Sequence, residues 1–196
     1  MRYILLTAIL LPAMAIAQTA PKVDPKEAKC LATTIYGEAR GESVKGMIAV
    51  GYTAVNRAVN ARICDVVLAP KQYSIYNDNP ALRAAAMSLK IAPKQNNAID
   101  MISWKQATDL SIAILRKDIP DPTNGATHYL NPPLVKQMGY EMPEWIQTFD
   151  RTVIIEQHHF YRFSQKKYDR FMAKKAAAEK ALKEKLEKLA QESGAS

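Results

Sequence analysis

Residues 35–43 read Ile35-Tyr36-Gly37-Glu38-Ala39-Arg40-Gly41-Glu42-Ser43. Just upstream, Ala28, Leu31, Ala32 and Ile35 recur at helical spacing, so a helix is expected from Lys26 to Ala39. Gly41 interrupts it, and Ser43 is placed to cap a second helix running from Val44 to Val59. There Val44, Met47, Ile48, Gly51, Val55 and Val59 fall near one face, the pattern of a core helix. Two helices joined by a tight turn point to a mainly α fold. They leave Glu38 at a helix end, a rigid place from which to present a functional group. Its neighbours Tyr36, Gly37 and Ala39 are small or apolar. Such a surround denies a carboxylate its water and favours the protonated form, so Glu38 is a candidate proton donor near neutral pH.

Further along, Ile63–Leu68 reads as one short helical turn, and residues 70–80 as a loop rich in hydrogen-bonding side chains. Ala81–Leu89 reads as helical, and Ser103 as the cap of a helix from Trp104 to Lys117. Ile119–Gly125 is a turn-rich connection and residues 126–131 are extended. Thr152–Phe163, rich in β-branched and aromatic residues, reads as a strand, giving a small two-stranded element beside the helices. From Gln165 the composition shifts to Lys, Ala, Glu and Leu, with a thin apolar stripe through Phe171, Ala178, Leu182, Leu186 and Leu189. That is a charged, solvated helix. The expected organisation is a signal peptide over 1–17, an extended lead-in over 18–25, one catalytic domain over 26–164 and a helical tail over 165–196.

The signal peptide rests on Met1-Arg2, an apolar stretch to Ile16, and the small-x-small cleavage pattern Ala15-Ile16-Ala17. The apolar stretch is short for a spanning helix, and an uncleaved anchor is the alternative. Cleavage places the mature chain in the periplasm, the cell envelope or outside the cell. It also removes Arg2, taking the formal charge from +8 to +7. A surplus of this size suits anionic surroundings, and export favours envelope polymers over nucleic acid. In an exported chain the two cysteines, Cys30 and Cys64, read as a disulfide, with two buried thiols as the alternative. Two isolated cysteines do not make a zinc site, and no glycine-rich phosphate or dinucleotide motif is present, so no metal or cofactor is expected.

The ordered motifs resemble the SleB-like cell-wall hydrolase family, known from spore-cortex-lytic enzymes. Cys30-Leu-Ala and Ile35–Ser43 come first, then Gly46, Ala49-Val50, Val55-Asn56-Arg57 and Ile63-Cys64-Asp65-Val66-Val67. Gln72-Tyr73-Ser74, Gly125-Ala126-Thr127-His128-Tyr129, Pro143-Glu144-Trp145 and His158 with Phe160-Tyr161 complete the series. The resemblance implies a lysozyme-like, mainly helical fold related to lytic transglycosylases, with a small β element. It implies cleavage of the β-1,4 bond between N-acetylmuramic acid and N-acetylglucosamine in peptidoglycan, with Glu38 as the catalytic acid. It also agrees with a Cys30–Cys64 bridge. The chain departs from the family's pattern at Tyr73-Ser74-Ile75, where Phe-Ser-Trp is usual, at Leu130, where His is frequent, and at Glu156, where Gly is usual.

A glycosidase of the two-carboxylate kind needs a partner for its acid. Glu42 is the candidate, and it reads equally as a capping or salt-bridging group beside Arg40. A lytic transglycosylase needs one carboxyl group alone, so hydrolysis and transglycosylation both stay open. Gln72, Tyr73 and Ser74 are candidates to bind sugar hydroxyl and N-acetyl groups, with Tyr73 able to stack on a sugar face. Tyr129, Asn131 and His128 are candidates on the opposite side of a cleft. Arg40, Asn56, Arg57 and His158 read as structural support, Arg57 through a salt bridge to Glu42 or another acid. Two other classes compete. One is a zinc amidase or peptidase using the histidines, although adjacent His158 and His159 would point to opposite faces of a strand. The other is a non-catalytic envelope-binding module anchored by the basic tail.

Overall fold

In the computed structural model, which describes residues 22–77 and 98–193, the first helix opens on a side-chain cap. Asp24 accepts a hydrogen bond from the Lys26 N–H at 2.8 Å, and Pro25 starts α1, Pro25–Ala39. A capping oxygen followed by a residue with no N–H to satisfy is how helices preferentially begin. Ser43 caps α2, Val44–Arg57, accepting from the Gly46 N–H at 3.3 Å. Then come α3, Ile63–Val67; α4, Ser74–Asn77; and α5, Ala98–Arg116. Leu31 and Ile35 of α1, Met47 and Val50 of α2, Val67 of α3 and Ile114 of α5 are almost fully buried. Burying each such side chain stabilises the fold by about 1.5–3 kcal/mol. Gly51 lets α1 and α5 close over α2. A Cβ there would lie 2.7 Å from Ile114 Cδ1 and 2.9 Å from Ile35 Cδ1.

The second half builds a three-stranded antiparallel sheet in the order β1-β3-β2. Its strands are β1, His128–Leu130; β2, Phe149–Ile155; and β3, His158–Phe163. Between β1 and β2 lie α6, Pro132–Gln137, and a 3-10 turn over Glu144–Thr148. Fully buried Phe160, with Ala126 and Ile155, packs the sheet on Ala49 of α2. One helix therefore carries α1 on one side and the sheet on the other. α7, Gln165–Ser193, is tied to the sheet at its start, where Lys167 Nζ donates to the Phe149 carbonyl at 2.6 Å and lies 3.1 Å from Asp150 Oδ1. Beyond that, Leu182, Leu186 and Leu189 are exposed, and Lys180–Glu184 and Lys183–Glu187 form pairs one turn apart. No described helix is long and apolar enough to cross a membrane.

The fold is mainly helical with a small sheet, as expected, and Cys30 is bonded to Cys64. Several local expectations need correction. The stretch Thr152–Phe163 is not one strand: it turns at Glu156-Gln157, so the sheet has three strands rather than two. Ser103 caps nothing, because α5 already starts at Ala98. The loop at 70–80 contains the helical turn α4, and α2 stops at Arg57. The signal segment at 1–17 and the helix expected at Ala81–Leu89 lie outside the described residues.

Candidate active site

Glu38 sits in the last turn of α1, half-buried, with its carboxylate gripped from two directions. On one side the Ser74 hydroxyl donates to Oε1 at 2.9 Å and the Ile75 N–H donates to the same oxygen at 3.0 Å. On the other, the Tyr129 hydroxyl donates to Oε2 at 3.1 Å. The apolar surround expected from Tyr36, Gly37 and Ala39 is therefore not what meets the carboxyl group: polar donors from α4 and β1 do.

The two oxygens are not equivalent. A backbone N–H can only donate, so Oε1 stays an acceptor. A hydroxyl can donate or accept. When Glu38 is protonated, Oε2 can carry the proton and donate a hydrogen bond to the Tyr129 hydroxyl as acceptor. Burial raises the Tyr129 phenol well above its ordinary range, so it remains a hydroxyl and can serve in both directions. Tyr76 backs the site, with its hydroxyl 3.3 Å from Thr34 Oγ1 and its phenol pushed up to about 12 by burial.

Gly37 explains how α4 comes so close to Glu38. A Cβ on Gly37 would fall 1.8 Å from Ile75 Cδ1 and 2.9 Å from Ile75 Cβ, a near-backbone atom that cannot swing away. Gly37→Ala is expected to push Ile75 off Glu38. If Glu38 is the acid expected from the sequence, turnover falls by about tenfold or more, the effect of misplacing such a group by an ångström or so. The measurement is dye release from labelled sacculi, set against a thermal melt that reports how much of the loss is unfolding.

The remaining candidate residues separate clearly. Ser74 is exposed beside Glu38, and Gln72, bonded to Arg57, is exposed two residues before it. Tyr73 is 2 % exposed, with the Arg57 guanidinium over its ring at 5.0 Å, so it has no free face to stack on a sugar. Arg57 makes no salt bridge to Glu42. Its Nε donates to the Thr127 carbonyl, and Nη1 donates to the Gln72 carbonyl and Oε1, both at 3.4 Å. It thereby ties α2 to both walls of the site. Asn131 is a helix cap, accepting from the Leu134 N–H at 3.1 Å, and its amide donates to Gln157 at 3.2 Å. His128 lies on the face of β1 opposite Tyr129, as strand alternation requires. There it packs on Phe149 at 4.5 Å and Trp145 at 5.1 Å, turned away from Glu38. Burial pushes its imidazole down to about 4.

Asn56 supports the site from behind. Its amide donates to Asp121 Oδ2 and to the Ala126 carbonyl, both at 3.0 Å. Asp121, which carries no motif signal, also receives the N–H groups of Thr123 and Gly125. Burial works to raise its carboxyl, but these hydrogen bonds outweigh it and hold the group below its ordinary range. The result fixes the loop that delivers β1.

Glu42 is not on the helix that carries Glu38. It lies in the α1–α2 turn and faces the β2–β3 turn, with Oε2 3.7 Å from His158 Nδ1. Its carboxyl is raised by burial and by its hydrogen-bonded neighbour Glu156. Glu156 is lowered, chiefly by hydrogen bonds from Ser43 and Glu42. The two carboxyls are thus pushed in opposite directions, Glu42 up and Glu156 down, and Glu156 meets the start of α2 through Ser43. Arg40 is turned elsewhere, over the Tyr36 ring at 5.4 Å. His158 and His159 sit on opposite faces of β3, with Phe160 and Tyr161 respectively. Among the described residues, no three His, Cys, Asp or Glu side chains come together as metal ligands.

A protein-family model described as Cell Wall Hydrolase matches residues 41–161, starting three residues after Glu38. Two solved structures are similar to the chain. The catalytic domain of the Bacillus cereus SleB protein is 21% identical, covering 76% of this chain and 100% of that one, with a TM-score of 0.47. The catalytic domain of the germination-specific lytic transglycosylase SleB from Bacillus anthracis is 23% identical, covering 71% and 97%, also with a TM-score of 0.47. No curated protein matches the chain.

Proposed function

Because the chain belongs to the cell wall hydrolase family, whose substrate is peptidoglycan, we propose that it cuts the β-1,4 bond between N-acetylmuramic acid and N-acetylglucosamine as a lytic transglycosylase. Glu38 is the acid and then the base. The observation that carries this reading is how its carboxyl is held, with the fixed Ile75 N–H and the Ser74 hydroxyl on Oε1 and the reversible Tyr129 hydroxyl on Oε2.

In the first step Glu38 gives its Oε2 proton to the glycosidic oxygen, and the bond from that oxygen to C1 of the muramic acid breaks. In the second, the 6-hydroxyl of the same sugar attacks C1 and loses its proton to the Glu38 carboxylate. A 1,6-anhydro ring closes, no water is consumed, and Glu38 is protonated again. One carboxyl group suffices, which agrees with Glu42 being engaged by Glu156 and His158. Gln72 and Ser74, exposed at the rim, are the residues offered to sugar hydroxyl and N-acetyl groups.

On this reading residues 26–164 are the catalytic domain and 1–17 direct the chain out of the cytoplasm. The basic tail, 165–196, suits anionic envelope polymers. Mass spectrometry of muropeptides released from purified sacculi tests the chemistry. Transglycosylation leaves anhydro ends lighter by one water than hydrolytic ends. Reducing ends alone would assign hydrolysis, and freed stem peptides would assign an amidase.

A further inference from the structure

Tyr129 decides how the proton-bearing oxygen of Glu38 is held, so whatever aims Tyr129 matters to the reaction. It stands on β1, a strand of three residues at the edge of the sheet. Two rings on the same sheet face fix its direction. Phe160 lies 5.8 Å away, is fully buried, and packs on Ala49 of α2, which makes it an immobile wall. His158 lies 5.6 Å away with its plane at 71° to the Tyr129 ring, an edge-to-face contact. It is the polar wall, and its Nδ1 looks at Glu42 Oε2.

We propose that His158 is a positioning residue for Glu38, acting through Tyr129, and that protonating His158 draws its ring toward the Glu42–Glu156 pair and releases Tyr129. The inference rests on Glu38 being the catalytic acid. The ionisable groups facing His158 are Glu42 from the α1–α2 turn, Glu156 from the β2–β3 turn and Tyr129 from β1. Burial outweighs the pull of Glu156 and lowers the imidazole, so the ring is neutral near pH 7 and holds its edge against Tyr129. Acid protonates it, and the new cation is attracted away from the phenol toward the acidic pair. Activity is therefore lost as pH falls through the His158 titration.

A double-mutant cycle on the full chain, measured on labelled sacculi, tests this. His158→Ala is expected to lower kcat about tenfold, within the range for coupled neighbours, and to leave sacculus binding in a pull-down unchanged. Tyr129→Phe should lose at least as much, and the double variant should be no worse than Tyr129→Phe alone. A residue that merely stabilised the fold would instead multiply its loss onto that of Tyr129→Phe. His158→Phe keeps an aromatic edge without a titrating nitrogen. It should recover most of the kcat and lack the acid limb of the pH profile.

Multiplicative losses, or a Phe variant no better than Ala, or an acid limb that survives in the Phe variant, would overturn the assignment. Glu38→Gln run in parallel separates the two readings. If it is inactive while the cycle is multiplicative, only the role of His158 fails. If it is fully active, the assignment of Glu38 itself is wrong.

Discussion

Glu38→Gln is expected to lower sacculus digestion by about 10²–10⁴-fold, the usual contribution of a positioned acid–base group. The fold should tolerate the change. The glutamine carbonyl can occupy the Oε1 position and keep the donors from Ser74 and Ile75. Its amide then faces Tyr129, whose hydroxyl turns to accept. Thermal melts should overlay, and pull-down with sacculi should persist, so the loss would be one of proton transfer alone. Glu42→Gln is the companion measurement. A comparable loss there would make the enzyme a two-carboxylate glycosidase, because the lone-carboxyl mechanism asks nothing chemical of Glu42. Undiminished digestion by Glu38→Gln is the result that would sink the mechanism.

The helical half of this site was legible because its signals are local. The Gly41 break, the Ser43 cap and the apolar faces of α1 and α2 each depend on residues within a few positions, and Glu38 lands where they put it. What holds Glu38 was only partly legible. Ser74 is identifiable as a candidate polar ligand, but nothing local announces that its hydroxyl donates to the acid itself. The Ile75 contribution is a backbone N–H, which no side-chain pattern can announce. Gly37 was visible as a small neighbour, yet its use, admitting Ile75, depends on a contact across 38 positions of chain.

The third strand is hidden in the sequence for a different reason. A two-residue hairpin turn is ordinarily marked by glycine or asparagine, which enter the left-handed region at little cost. Here Glu156 takes that conformation with φ 54°, so Thr152–Phe163 shows no break in its β-rich composition. The same residue departs from the glycine usual in the family that the sequence resembles. Its compensation, hydrogen bonds to Ser43 and Glu42, is a tertiary fact. The structural roles of Tyr73 and Asn131 are hidden because a motif position says nothing of burial or of capping geometry. One is sealed under Arg57 and the other ends a strand by starting a helix.

Removing the Cys30–Cys64 bridge is expected to cost roughly 3–4 kcal/mol, from the loop-closure entropy returned to the unfolded chain. For a domain of this size that is a fall of roughly 10 °C in Tm. The bridge spans a separation of 34 residues and joins α1 to α3, with both sulfurs in the core. Around it, Glu27 accepts from the Ile63 N–H at 2.5 Å and from Arg62 at 3.1 Å, so the start of α3 stays docked without the bond. Folded protein should therefore survive reduction and remain active at low temperature.

The contribution of the bridge is then to thermal stability. It fixes the helix that ends in Glu38 relative to the segment that leads, through Tyr73, to Ser74 and Ile75. Melts of the full chain with and without reductant, and of the Cys30→Ala/Cys64→Ala double variant, give the size of the effect. The two routes should agree, and activity after a heat pulse should fall in parallel with Tm. Equal melting temperatures for oxidised and reduced protein would show that the bridge constrains nothing that the Glu27 contacts do not already hold.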